Sequence, residues 1–168
     1  MRTKFIQKDN LDILLAALTR ENETACKISL LTGLRIGDVL NITTEQIRMG
    51  RFTVTERKTG KKRRVTIPAG LCDDILSHAG KVYAFPNRLD YKKPRTRQAV
   101  FKDIRRVAEA LRLGRGVAPH SMRKNFAVEK YHATGDLNKV KALLNHTSEA
   151  VTILYALADV MGRKKTKT

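Results

Sequence analysis

The chain has 168 residues, 42% of them apolar and 30% charged, enough for one domain with a real core and too apolar for a disordered or fibrous polymer. Its 34 Lys+Arg against 16 Asp+Glu leave a formal charge of +18, which points to a polyanionic partner, nucleic acid before an anionic membrane surface. No apolar run approaches the roughly 18 residues of a membrane span; Met1-Arg2-Thr3-Lys4-Phe5 lacks the apolar core of a secretion signal.

In chain order, Asp9 or Asn10 is placed to cap a helix with Leu11, Leu14, Leu15 and Leu18 on one face, ending near Arg20. A second helix is expected from about Glu23 to Thr32, stopped by Gly33, and a short third from Ile36 to Leu40, with Thr43-Thr44-Glu45 as polar punctuation. Arg51 to Arg57 and Arg63 to Ile67 alternate as strands do, and Lys58-Thr59-Gly60-Lys61-Lys62 between them is a turn with a very cationic tip. Ala69 to His78 reads as a helix, Val82 to Phe85 as a short apolar segment and Pro86 to Arg97 as a basic loop. An amphipathic helix follows from about Thr96 to Leu113, with Val100, Ile104, Val107, Ala108 and Leu111 on its apolar face and Gly114 and Gly116 ending it. Further helices are expected from about Ser121 to Thr134, from a cap at Asp136 to Leu144, and from about Ser148 through Val151, Leu154, Tyr155 and Ala158. The fold class is therefore mainly α with a small antiparallel β-hairpin, one domain over residues 1–160 and a basic tail over 161–168.

Cys26 and Cys72 lie far apart without metal-type spacing and are expected as reduced thiols in a cytosolic protein. No His/Cys cluster suggests a metal and no Gly-rich loop suggests a nucleotide, so the chemistry is expected to need no cofactor, metal or ATP. The cationic donors that remain fall into an ordered series. Arg35 sits at a helix–helix junction, where a side chain is held rigidly at a surface or buried as a structural arginine. His120-Ser121-Met122-Arg123 straddles a helix start, with His120 at or just before the cap and Arg123 in the first turn, where the free N–H groups and dipole favour phosphate. Taken singly these residues have ordinary readings: a capping histidine, a surface arginine, a carbonyl-satisfying His146 past a helix end, a core aromatic at Tyr155.

Taken together, the order of Thr32-Gly33-Leu34-Arg35-Ile36-Gly37-Asp38, Lys58-Thr59-Gly60-Lys61, Pro119-His120-Ser121-Met122-Arg123 and Leu144-Asn145-His146-Thr147 through Tyr155 resembles the tyrosine recombinases, the phage integrase family, over roughly residues 10 to 160. The resemblance implies that Tyr155 is the nucleophile, attacking a DNA phosphodiester to form a 3′-phosphotyrosyl bond. It implies that Arg35, Arg123 and His120 clamp the non-bridging oxygens with His146 as a further donor, that Lys58 protonates the departing 5′-oxygen, and that Asp38 supports the site. Bidentate guanidinium donors suit the equatorial oxygens of a phosphoryl transition state, and a cationic site depresses a lysine pKa towards the range of a general acid. Lys61 and Lys62 share the turn and remain alternatives to Lys58. The implied partner is double-stranded DNA at specific sites, with no membrane; the implied assembly is a monomer when free and a tetramer on DNA, with possible accessory DNA-bending proteins. Family members usually carry an N-terminal helical domain that clamps the far side of the DNA, and here the pattern starts too early to leave room for that core-binding domain. Rival readings are a type IB topoisomerase that relaxes supercoils, a non-catalytic DNA-binding domain, and an RNA-binding protein explained by charge alone.

Overall fold

The structure, a computed structural model, describes residues 3–144. Along them run the helices α1 (Lys8–Ala16), α2 (Arg20–Thr32), α3 (Ile36–Val39) and α4 (Thr44–Met49), the strands β1 (Arg51–Thr55) and β2 (Lys62–Thr66), and the helices α5 (Ala69–Leu76), α6 (Arg97–Ala110), α7 (Pro119–Thr134) and α8 (Leu137–Leu144). The mainly helical class with one antiparallel hairpin is as expected. His146, past the end of α8, and the expected last helix with Tyr155 lie outside the described residues, as does the basic tail. Among the described residues no helix is long and apolar enough to cross a membrane.

Several boundaries differ for identifiable reasons. Helix α1 starts at Lys8 rather than at a cap on Asp9 or Asn10, so Asp9 falls in the first turn, where its carboxylate favours the dipole. It ends at Ala16, and Leu18 is buried from the following turn. Helix α2 starts at Arg20, three residues before Glu23, because a distant carboxylate caps it: Asp103 of α6 accepts from the Thr19 backbone N–H (2.9 Å) and from the Asn22 side chain (2.7 Å). The polar run at Thr43 is not punctuation. It is a capping box, Gln46 N–H donating to Thr43 Oγ1 (3.2 Å) and Thr43 N–H to Gln46 Oε1 (2.9 Å), and it opens α4.

The hairpin pairs Arg51 with Thr66 through Thr55 with Lys62, and it turns Phe52, Val54 and Val65 into the core. Helix α6 buries Val100, Ile104, Val107 and Ala108 of the predicted stripe, while Leu111, its fifth member, is the C-cap residue and only half-buried, the helix ending at Ala110 rather than near Leu113. Helix α7 differs in kind. Every residue from Ser121 to Val128 is buried, so this half of the helix is packed on all sides and shows no amphipathic pattern. Its polar members are satisfied by distant backbone: Asn125 accepts from the Ile6 N–H (3.2 Å) and donates to the Ile6 carbonyl (2.6 Å), and Lys124 Nζ donates to the Thr3 carbonyl. The N-terminal segment is thereby sewn along α7, and a second small core of Phe126, Ala127, Val128, Val140 and Leu144 joins α7 to α8.

Candidate functional site

Gly33 determines how closely α2 and α7 approach. It ends α2 with φ +69°, and a Cβ built on it would lie 2.5 Å from Cδ1 and Cε1 of the buried Phe126 ring. The corner that follows is tied down locally: Ser29 Oγ donates to the Leu34 carbonyl (2.8 Å) and the Leu34 N–H to Thr32 Oγ1 (3.2 Å). Arg35 is the N-cap residue of α3 and lines an open cleft of about 1020 Å³.

Four elements converge on that cleft. Arg35 and Asp38 come from the α2–α3 corner, Arg57 and Lys58 from the hairpin turn, Arg95 and Arg97 from the start of α6, and His120 and Arg123 from α7. Of the residues singled out in the sequence, Arg35, Asp38, Lys58, His120 and Arg123 thus line one cavity; His146 and Tyr155 lie outside the described residues. Lys58 lines the cleft, whereas Lys61 and Lys62 are exposed and do not.

Arg123 is placed differently from the expectation. It is the fifth residue of α7, in the second turn rather than the first, and only 1% exposed. Nη1 donates to the Gly33 carbonyl (2.6 Å) and Nη2 to the Leu144 carbonyl (2.5 Å), so one guanidinium bridges the ends of α2 and α8 while lining the cleft. The corner therefore holds both arginines: Gly33 by its carbonyl, Arg35 two residues later. His120, with Pro119 ahead of it, lies within the first turn of α7 rather than at its cap, and is half-buried.

Two carboxylates hold the cationic side of the cleft together. Asp38, buried, accepts the Arg57 N–H on Oδ1 (3.0 Å), fixing the backbone beside Lys58. Glu56 is fully buried and accepts from Arg35 Nη1 on Oε2 (2.6 Å), with Arg63 Nη1 3.8 Å from Oε1. Arg63 Nη2 also donates to the Thr32 carbonyl. Burial pushes the Arg63 guanidinium below its ordinary value, the Glu56 charge opposing and the Arg35 charge adding to that fall.

Sequence reasoning passed over Glu56 and Arg63. A signal was present: Glu56 continues the inward parity of Phe52 and Val54, and an acidic residue at an inward position of so basic a chain needs a partner. Among the described residues no group of three or more His, Cys, Asp or Glu is placed to hold a metal ion.

The model of the phage integrase family matches residues 4–160. A probable integrase/recombinase of Bacillus subtilis, YoeC, is 29% identical over 133 residues, 76% of this chain and 72% of its own. The integrase of Escherichia phage P2 is 29% identical over 155 residues, 92% of this chain and 43% of its own. The crystal structure of the XerH site-specific recombinase in a post-cleavage complex with its palindromic difH substrate superposes with a TM-score of 0.72 at 17% identity, covering 99% of this chain and 54% of that one. The chain thus spans about half the length of the phage P2 integrase and of XerH, and nearly three-quarters of YoeC.

Proposed function

The chain belongs to the phage integrase family, and from that premise we propose that it is the catalytic domain of a site-specific tyrosine recombinase, cutting and rejoining double-stranded DNA through a 3′-phosphotyrosyl intermediate. The observation that carries the reading is the single cleft lined by Arg35, Lys58, His120 and Arg123, residues contributed by the α2–α3 corner, the hairpin turn and α7.

Tyr155 attacks the phosphorus. Its phenol oxygen forms a P–O bond as the bond to the 5′-oxygen breaks, and the phenol proton passes to solvent water. Negative charge spreads over the non-bridging oxygens, where Arg35, Arg123, His120 and His146 donate; fixed donors of this kind are each worth on the order of 10²–10³ in rate. Lys58 passes a proton to the departing 5′-oxygen. The tyrosine ester conserves the energy of the broken bond, so the reverse attack by a 5′-hydroxyl rejoins DNA without a nucleotide triphosphate. The partners on this reading are specific DNA sites, a tetramer of the protein assembled on them, and accessory proteins that bend the DNA; the protein acts in the cytoplasm where that DNA lies.

The test is a denaturation-resistant protein–DNA adduct on nicked duplexes tiled across the DNA flanking the gene. An adduct from the wild type that vanishes in Tyr155→Phe is the expected result. An adduct that persists in Tyr155→Phe refutes the proposed nucleophile. Joint molecules between two sites, rather than supercoil relaxation alone, separate recombination from a topoisomerase activity.

A further inference from the structure

We propose that Glu56 is a positioning residue for strand cleavage: its carboxylate orients Arg35 and, through the turn that it closes, fixes Arg35 relative to Lys58. The inference rests on the recombinase reading above.

Three consecutive residues carry it. Glu56 bonds Arg35 through its side chain, Arg57 is bonded by Asp38 through its backbone, and Lys58 lines the cleft. The two carboxylates reach in opposite directions, Glu56 from the hairpin to the corner and Asp38 from the corner to the hairpin, so neither element shifts without breaking both bonds. The turn itself is built on Glu56: its N–H donates to the Lys61 carbonyl (2.9 Å), and its carbonyl accepts from Gly60 N–H (2.8 Å).

Fold stability alone gives little reason for a carboxylate at this position. Exchanging Glu56, Arg35 and Arg63 together for well-packed apolar groups would extend the inward face of Phe52 and Val54, and buried ion pairs replaced whole in this way are often neutral or stabilising. Two cations converge on the one carboxylate, and the shorter contact goes to the arginine that lines the cleft: 2.6 Å to Arg35 against 3.8 Å to Arg63. Arg63 in turn is anchored on the Thr32 carbonyl, next to the Gly33 carbonyl that holds Arg123. Glu56 therefore ties Arg35 to the turn that carries Lys58, and through Arg63 it reaches the Thr32 carbonyl next to the one that holds Arg123. A clamp must be held within roughly 0.5 Å and 10–20° of its productive geometry, and held there by groups that do not themselves touch the phosphate.

The test is a mutant cycle on the full chain, using the nicked duplex that gives the wild-type adduct. Single-turnover cleavage, DNA affinity and thermal melting are measured for wild type, Glu56→Gln, Arg35→Ala and the double variant. The inference expects Glu56→Gln to cleave ~10- to 100-fold more slowly with affinity within about 2-fold of wild type, because misplacement by about 1 Å costs rate on that scale. It expects the double variant to cleave no more slowly than Arg35→Ala, since Glu56 acts through Arg35. Folded Glu56→Gln cleaving at the wild-type rate, or a full Glu56→Gln penalty persisting in the Arg35→Ala background, overturns the inference. Should Glu56→Gln melt below the assay temperature, Glu56→Asp, which keeps the charge and retracts it, takes its place in the same cycle with the same criteria. A wild-type chain that yields no adduct on any duplex removes the recombinase reading and this inference together, whereas a wild-type adduct with an unaffected Glu56 variant removes this inference alone.

Discussion

Replacing Gly33 by alanine should destabilise the fold by about 2–5 kcal/mol, and the figure divides into two parts. Gly33 has φ +69°, a left-handed conformation that costs a residue with a Cβ about 1–2 kcal/mol. The new methyl also lands 2.5 Å from two carbons of the Phe126 ring, where carbon–carbon contacts prefer roughly 3.5–4.0 Å. The ring is only 3% exposed and has nowhere to swing, so α7 must retreat from α2 by about 1 Å, an overpacking strain of about 1–3 kcal/mol. Because α7 carries His120 and Arg123, and the Gly33 carbonyl receives Arg123 Nη1 at 2.6 Å, the same retreat should slow DNA cleavage on the order of 10²-fold. Urea unfolding of Gly33→Ala, alone and in a Phe126→Leu background, separates the parts: with the ring gone, the penalty should shrink to the backbone share of about 1–2 kcal/mol. Equal penalties in both backgrounds would refute the steric argument. A Gly33→Ala chain of full stability and full cleavage rate would refute the whole account of the corner.

Three further outcomes are expected. Lys58→Ala should lower cleavage by about 10²–10⁴-fold, the usual worth of a general acid, while Lys61→Ala and Lys62→Ala change chiefly DNA affinity; single-turnover rates beside binding curves separate the three, and equal losses from Lys58→Ala and Lys61→Ala would refute the assignment. With a charge of +18, affinity for duplex DNA should fall by about 10³ or more between 50 and 200 mM salt, as measured by fluorescence anisotropy, and a flat response would count against phosphate contacts as its source. Burial holds the His78 imidazole below its ordinary 6.5, the charges of Glu21 and Asp74 opposing, so the unfolded chain takes up a proton that the folded chain refuses; stability from neutral His78 is full above about pH 6.5 and declines as the pH falls below it, a limb of the urea-midpoint profile that His78→Gln should remove.

What was legible in the sequence is what short-range physics encodes. The apolar stripe of α6, the glycine that ends α2, the alternation of the hairpin and the Asp136 cap each depend on residues within a few positions of one another. The box Thr43-x-x-Gln46 is equally local: the glutamine three residues on marks Thr43 as a helix cap rather than punctuation. The start of α2 was not legible, because its capping carboxylate, Asp103, stands 84 residues away. Nor was the burial of Arg123, Lys124 and Asn125. Three polar residues in a row look like solvent-facing helix until their partners are known, and those partners are backbone atoms of Gly33, Leu144, Thr3 and Ile6. For the site, the order of basic residues indicated which ones to gather, and it said nothing about what holds them in place.

That distinction divides the cations of this chain into two populations with different work. Arg35, Arg63, Arg95, Arg123 and Lys124 are wholly or largely buried, and each is engaged by a carboxylate, an amide oxygen or a backbone carbonyl. Lys58, Lys61, Lys62, Arg64, Lys92 and Lys93 stand in solvent. Counterion release answers to the second population, because an exposed charge carries the ion atmosphere that a phosphate displaces. The first population is fixed before DNA arrives, and its removal leaves buried oxygens without donors. Substitutions in the two groups should therefore separate in assay: exposed lysines should shift the salt slope and leave the melting temperature alone, whereas Arg63 and Lys124, buried and outside the proposed phosphate clamp, should on substitution lower the melting temperature and leave the slope. A chain so basic would bind DNA by the second population alone. The first, fastened to Glu56, Gly33 and Leu144, fixes the geometry of the cleft in which the proposed reaction would hold a phosphate rather than merely attract it.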